Sequence, residues 1–363
     1  MTMRIGTFNC ENLFRRPVAY GIEDEAQRQT VLKDFRKLVE LLDHTTYTSN
    51  DKTEILALLA AHAVGSDASD HTIVLNEPRG GAKLLKKQGG TTTVGAAGRG
   101  DWVGWAELVD GDLDWTAVEN TARVVAAVNA DVLLTVEVEN RLTLDRFNSH
   151  VLGGLLHEKP YPFNMLIDGN DIRGIDVGVL SRRPIVSIRS HIFDEDKTDG
   201  KTIFSRDCPE YEIEFDGGPS LWLLGNHFKS KLGGGDEKRK RQGERVAEIY
   251  RAALERSSHV VVAGDMNDTP DSAGVAAVLA TGLRDAMSHS SYTGPPGTFG
   301  TGAKPENKID YLMFSPDLWG KVQNVTLEQR GIYAPGVITS FPTVTSRATE
   351  ASDHCSLYAD LDL

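Results

Sequence analysis

The chain has 363 residues, of which 40% are hydrophobic and 25% are charged, a composition typical of a folded globular protein. Its 52 acidic residues outnumber its 39 basic residues, and the net charge of −13 disfavours a broad interface that follows nucleic-acid phosphates with clustered Lys and Arg. No apolar run approaches the length of a membrane span and the first residues do not resemble a signal peptide, so we expect a cytoplasmic protein unless a leader has been removed.

The predicted elements begin with a short strand over 3–6 and continue with helices. Apolar residues at helical spacing predict a helix over 23–43, and a second helix is predicted over 53–63 with Thr53 as its N-cap. The stretch 88–104 is rich in Gly, Thr and Ala, which predicts a mobile loop.

The rest of the chain is β-rich. A helix over 116–129 leads into a strand over 131–136, and later helices are predicted over 236–256 and 271–279. Apolar runs predict further strands over 174–180, 211–215, 221–224, 260–263, 311–314 and 355–361.

Short motifs rich in acids and amides recur along the whole chain, most of them at or just after an apolar strand. They are Asn9-Cys10-Glu11, Glu137-Val138-Glu139, Asn226-His227, Asp265-Met266-Asn267, Asp310 and Asp353-His354. Strands that each end in a carboxylate, an amide or an imidazole indicate one polar site at one rim of a sheet. Hard oxygen ligands with a histidine suit Mg²⁺ or Mn²⁺ and phosphate chemistry.

Spacing within the motifs limits what each residue can do. Asn9 and Glu11 are two residues apart and share one face of a strand, so Cys10 points the other way. Glu137 and Glu139 also have the same parity, so periodicity does not choose between them. Ser352 and His354 are too close in sequence to act in a serine-hydrolase triad, and no His/Cys set has zinc-site spacing.

Taken together, the six motifs resemble those of the endonuclease/exonuclease/phosphatase superfamily, and the resemblance extends from Asn9 to His354. It implies an α/β (α+β) fold, a four-layer α-β-β-α sandwich in which two packed, mostly antiparallel β-sheets are flanked by helices. We expect a single catalytic domain over 1–363, with an elaboration at about 15–115 because the family joins its first strand to the next helix more directly.

The resemblance also implies a metal site for Mg²⁺ or Mn²⁺. Glu137 matches the metal-ligand glutamate of the family, and Glu139 is then a neighbour that supports it. Asn9 and Asp353 are expected beside the ion. Glu11 stands where some relatives have Asp, and its direct contact with the ion is left open.

The remaining motifs match the catalytic groups of the family. Asp265 is expected to position or deprotonate the attacking water, and Asp310 to orient His354. Asn267, His227 and His354 are expected to contact the scissile phosphate.

Substrate contacts are expected from residues that adjoin these motifs: Asn226, Lys229, Lys231 and Arg173. For Arg173 a structural ion pair is the alternative, and the basic run over 238–245 is interpreted as a solvated helix face.

Three functions follow from the resemblance. The first is a nuclease or phosphodiesterase acting on DNA or RNA, which the local basic residues and the histidine pair favour. The second is a phosphatase or phosphodiesterase for a small molecule or a lipid headgroup, which the net charge favours. The third is a catalytically inactive relative that serves as a binding module.

Overall fold

A computed structural model describes residues 2–13, 18–22, 24–64, 71–109, 114–171, 174–215, 218–231 and 234–363. The chain divides into two compact units, one formed by 1–14 with 113–363 and the other by 15–112. The expectation of one catalytic domain over the whole chain stays a prediction.

Sixteen strands occur in the described residues. They are β1 (Thr2–Leu13), β2 (Ile73–Asn76), β3 (Leu85–Gln88), β4 (Thr91–Val94), β5 (Trp105–Leu108), β6 (Val132–Val138), β7 (Phe163–Ile167), β8 (Asp176–Ser181), β9 (Ile185–Arg189), β10 (Glu210–Ile213), β11 (Leu221–His227), β12 (Val260–Asp265), β13 (Arg284–Asp285), β14 (Asp310–Phe314), β15 (Val322–Glu328) and β16 (Ser356–Asp362).

Seven α-helices occur in the same described ranges. They are α1 (Glu25–Leu42), α2 (Ser49–Ala61), α3 (Trp115–Val128), α4 (Arg141–Arg146), α5 (Asp236–Leu254), α6 (Ala273–Leu279) and α7 (Pro316–Trp319). A π-helical stretch, Phe147–Leu155, continues α4 directly. Within the described part of the chain, no helix combines the length and the apolar character that crossing a bilayer requires.

The first unit contains two six-stranded sheets. Their strand orders are β15-β16-β1-β6-β8-β7 and β13-β14-β12-β11-β10-β9. Only the β1–β6 and β11–β12 pairs are parallel among these neighbouring strands, so both sheets are mostly antiparallel, as predicted.

The two sheets pack face to face, with helices on their outer faces. Leu134 of β6 and Leu223 of β11 belong to one buried core between the sheets. Leu133 packs with α3 on one outer face, and Val262 packs with α5 and α6 on the other. Because full burial of such a side chain stabilises by about 1.5–3 kcal/mol, the three apolar interfaces hold the layers together. This arrangement confirms the four-layer α-β-β-α sandwich.

The second unit has its own small core of α1, α2, the antiparallel pair β2–β5 and the hairpin β3–β4. Helix α2 begins earlier than predicted, because Thr48 and not Thr53 is its N-cap and forms a capping box with Asp51. The prediction of a loop over 88–104 is also wrong in part, because this stretch contains strand β4.

Candidate active site

Three polar side chains from the second sheet lie in one row. The strand register places His227 of β11 beside Asp265 of β12, and Asp265 beside Asp310 of β14. Alternation along each strand puts the three on the face that carries the buried core between the sheets. Nearby, Gly264 has a φ of 125°, and a Cβ there would lie 2.0 Å from the Asn226 carbonyl oxygen, so only glycine fits.

The first sheet brings Glu137 to the same place through an irregularity in β6. Val132, Leu134 and Val136 face the core, so strict alternation would turn Glu137 outward. Glu137 instead has a left-handed φ of 62°, and the register with β8 shifts between Val136 and Val138. Such a bulge re-aims a side chain. Glu137 Oε1 therefore lies 3.4 Å from Asn9 Nδ2.

Asn9 lies at the centre of the cluster. Its Nδ2 is 3.2 Å from Asp265 Oδ2 and 3.4 Å from His354 Nε2, while its Oδ1 accepts a hydrogen bond from the Glu11 amide at 3.1 Å. Its amide nitrogen thus faces the carboxylates.

His354 is oriented by Asp310. His354 Nδ1 lies 2.8 Å from Asp310 Oδ2, and Thr298 Oγ1 donates to the same oxygen at 2.7 Å. Burial alone would lower the pKa of His354, but the nearby carboxylates of Asp310, Asp265 and Asp353 outweigh it, so the pKa lies well above its usual value. The surrounding carboxylates therefore favour the protonated imidazole.

The carboxyl group of Asp265 is deeply buried, and its pKa is raised. Burial, followed by repulsion from Asp310, raises its pKa to about 7. Asn267 reaches it twice: its backbone amide donates to Asp265 Oδ1 at 2.7 Å and its Nδ2 to Oδ2 at 3.2 Å. The Nδ2 of Asn267 also donates to the Phe228 carbonyl at 3.1 Å.

His227 completes the row at slightly longer range. Its Nε2 lies 3.7 Å from Glu137 Oε1 and 3.8 Å from Asp265 Oδ2. These separations exceed hydrogen-bonding distance, but they place the imidazole beside both carboxylates.

Glu11 and Asp353 are linked through the backbone, because the Asp353 amide donates to Glu11 Oε2 at 2.8 Å. Asp353 Oδ1 lies 3.7 Å from His354 Nε2. The Asp353 side chain is 41% exposed and that of Glu137 is 20% exposed, so both carboxylates are accessible from solvent.

Backbone strain accompanies these residues. Glu11, Glu137 and Asn267 have positive φ values of 48°, 62° and 51°. A left-handed conformation costs a residue with a side chain roughly 1–2 kcal/mol, and such conformations cluster at functional sites.

Residues with metal-ligand chemistry occur at two depths. In the described part of the chain, Asp265, Asp310 and His354 have potential ligand atoms within 4.8 Å of one another. Asp310 and His354 are hydrogen-bonded to each other, however. The more accessible oxygen ligands for a cation are therefore those of Glu137, Asp353 and Glu11.

Other predicted residues lie apart from the cluster. Asn226 is on the opposite face of β11 from His227, and its Nδ2 donates to the carbonyls of Leu224 and Ala263. Lys231 pairs with Asp268 at 3.3 Å.

The last three candidates from the sequence are Glu139, Lys229 and Arg173. Glu139 lies beyond the end of β6, with its Cγ beside Gly174. Lys229 adjoins the site through Phe228, and Arg173 lies outside the described residues.

Two site residues were not predicted. Thr298 holds Asp310, as described above, and nothing in its local sequence indicates this contact. Ser352 Oγ donates to the Asn9 carbonyl at 2.7 Å and accepts from the His354 amide at 3.0 Å. Its position in the Ser352-Asp353-His354 motif was the available signal.

Acidic, amide and imidazole side chains are thus gathered at one rim of an α-β-β-α sandwich. The sequence model of the Endonuclease/Exonuclease/phosphatase family matches residues 116–354, and the chain belongs to this family. Among curated proteins, none is significantly similar to the chain in sequence.

Several solved structures are similar to this chain at low sequence identity. The mannosyl-6-phosphatase of Bacteroides thetaiotaomicron VPI-5482 superposes with a TM-score of 0.50 and 17% identity, covering 68% of this chain and 91% of its own. Truncated TDP2 from Caenorhabditis elegans has a TM-score of 0.46 and 20% identity, and the match covers 68% of this chain and 90% of TDP2. The human Nocturnin catalytic domain with bound sulfate has a TM-score of 0.46 and 16% identity, and the match covers 69% of this chain and 87% of the Nocturnin domain.

Proposed function

We propose that the protein is a divalent-metal-dependent hydrolase that cleaves a phosphodiester by in-line attack of water, as a nuclease or phosphodiesterase. Family members hydrolyse phosphoester bonds. The observation that carries the proposal is the convergence of Asn9, Glu137, Asp265 and His354 from both sheets on one buried cluster.

The acidic residues fit a hard divalent cation. Glu137, Asp353 and Glu11 offer carboxylate oxygens, which Mg²⁺ and Mn²⁺ prefer. Repulsion from Glu137 contributes to the raised pKa of Asp265, and a bound cation would relieve it. When bound, such an ion polarises a phosphate oxygen and stabilises the leaving oxyanion. We assign its ligands to Glu137 and Asp353, with Glu11 and Asn9 beside them.

Asp265 is assigned as the group that positions the attacking water and accepts its proton. Burial raises the pKa of Asp265, which makes this carboxylate a stronger base than an ordinary aspartate. Asn267 donates to both oxygens of Asp265 and thereby fixes its orientation.

Stabilisation of the charge that develops on the phosphate is assigned to the two histidines. His354, whose protonated form Asp310 favours, donates from Nε2. His227, in the row with Asp265 and Asp310, faces the same space. Donors that are already in place lower the barrier because they need no reorganisation during the reaction.

A small phosphoester substrate is the second candidate, and one observation favours it. Three arginines of α5 are neutralised: Arg239 pairs with Asp268 at 2.7 Å, Arg241 with Asp199 at 2.9 Å, and Arg245 with Asp194 at 2.7 Å. Such pairs leave little free positive charge for a long nucleic acid.

Activity on supercoiled plasmid and on bis-p-nitrophenyl phosphate, with Mg²⁺, Mn²⁺ or EDTA, tests the proposal. Asp265→Asn and His354→Gln should each lose metal-dependent activity. Asp317→Asn, a matched change on α7 at the other end of β14, should keep it.

The outcomes separate the candidates. Plasmid nicking that both site variants lose supports a nuclease. Cleavage of the small diester with intact plasmid supports the second candidate. A folded, metal-supplied protein without activity on either substrate or on phosphomonoesters would contradict the proposal and favour an inactive relative.

A further inference from the structure

One cation of α5 differs from its neighbours. Lys238 is half-buried in the first turn of the helix, and within the described ranges no carboxylate lies at ion-pair distance from it. Arg239, Arg241 and Arg245 on the same helix are each paired with an aspartate. A partly desolvated ammonium without a paired carboxylate is unfavourable unless an anion binds to it.

Lys229 lies close to the start of α5, which carries Lys238. A Cβ added to Gly235 would lie 2.9 Å from Lys229 Cγ, so the Lys229 side chain passes against Gly235. Gly235 is the N-cap of α5 and Lys238 is in the first turn, and the two lysines are close enough for Lys229 to lower the pKa of Lys238. The backbone of Lys229 is fixed, because its amide donates to Gln242 Oε1 at 2.9 Å.

The position of Lys229 ties this pair to the catalytic cluster. Lys229 follows Phe228, and the Phe228 carbonyl accepts hydrogen bonds from Asn267 Nδ2 at 3.1 Å and from Arg206 Nη1 at 3.0 Å. Arg206 is itself paired with Asp171 at 2.9 Å. Burial, then Lys229 and Arg206, lower the pKa of Lys238 and outweigh the attraction of Asp171, which is consistent with cations gathered at this edge.

We propose that Lys238 and Lys229 form a second anion subsite, which binds a further phosphate group of the substrate close to the scissile ester. The subsite rests on the proposed phosphoester hydrolysis and narrows its substrate class to esters with more than one phosphate. The further phosphate comes either from the neighbouring linkage of an oligonucleotide or from a second phosphate on a small molecule.

Paired substrates that differ by one phosphate test this subsite. One arm compares thymidylyl-thymidine with its 5′- and 3′-phosphorylated forms. The other compares a p-nitrophenyl alkyl phosphodiester whose alkyl arm ends in a hydroxyl with one whose arm ends in a phosphate. The readout is the ratio of kcat/KM with and without the extra phosphate.

The wild-type ratio should be roughly tenfold in at least one arm, as expected for one charge-assisted contact. In Lys238→Gln the ratio should fall to about one through a higher KM. Lys240→Gln, an exposed lysine on the same helix, should keep the wild-type ratio. The arm with the larger ratio identifies the source of the phosphate.

A wild-type ratio near one in both arms, or a ratio that Lys238→Gln leaves intact, would overturn the subsite. If no substrate is hydrolysed, the proposed function fails, but dissociation constants of the same pairs in EDTA still test the subsite. Tighter binding of the phosphorylated member that depends on Lys238 supports it, and equal binding contradicts it.

Discussion

The left-handed backbone at Glu137 predicts that Glu137→Gly stabilises the fold relative to Glu137→Ala. Both changes remove the same carboxylate, so they differ only in a methyl group and in backbone freedom. At a φ of 62° the alanine variant keeps a strain of roughly 1–2 kcal/mol, which glycine relieves. Glycine in exchange costs about 0.5–1 kcal/mol of unfolded-chain entropy.

The balance gives Glu137→Gly an advantage of about 0.5–1 kcal/mol in the free energy of unfolding, opposite in sign to the usual effect of Ala-to-Gly changes in strands. Urea unfolding in EDTA measures it, because a bound cation would add stability of its own. Tryptophan fluorescence can follow the first unit through Trp222, which is buried against its core.

Both variants should also lose metal-dependent activity, so a more stable protein would be a less active one. If Glu137→Ala proves equal to Glu137→Gly in stability, or more stable, the bulge is not strained and the reasoning from its φ value fails. The m-values of the two variants must agree for this comparison to hold.

Three further predictions concern hydrogen-bonded partners. Thr298→Val should lower the free energy of unfolding by about 1–3 kcal/mol, because the buried Asp310 Oδ2 loses one of its two hydrogen bonds and keeps only that of His354; a loss below a few tenths of a kcal/mol in urea unfolding would contradict this. Asp310→Asn should lower kcat by about 10²- to 10⁴-fold with a smaller change in KM, since His354 loses its orienting carboxylate, and steady-state kinetics measure both values. Burial alone would lower the pKa of His191, but Glu210 and Asp194 raise it above its usual value. The contribution of the protonated His191 to stability is therefore full below about pH 6.5 and is lost as the pH rises through the pKa of the folded state. Thermal unfolding should therefore show a larger loss for His191→Gln at pH 5.5 than at pH 9, and an equal loss at both would refute the assignment.

The central strands of both sheets could be predicted from the sequence, whereas their edge strands could not. β1, β6, β8, β10, β11, β12, β14 and β16 all fall on apolar runs that were predicted as strands. β7, β9, β13 and β15 are the four edges, and each was missed. β13 has only two residues and β15 carries several polar ones, so their apolar patterns are weak, whereas β7 and β9 are mostly apolar and have no such explanation.

The candidate site shows the same division. Its residue types follow from short motifs after apolar strands, because a strand end at a sheet rim is where polar groups can be held without burial of the whole segment. Sequence parity left Glu137 and Glu139 equivalent. The bulge at Glu137 separates them, since its left-handed φ is set by pairing with strands distant in sequence.

Sequence alone thus determined the family, the layered fold and most of the polar residues that converge, because these depend on local patterns and on motif order. Only the tertiary structure decided that Asn9 turns its amide nitrogen to the carboxylates, that Thr298 supports Asp310, and that three arginines of α5 pair with aspartates. Each of these contacts joins residues from separate elements of the chain, and no periodicity within one element encodes them.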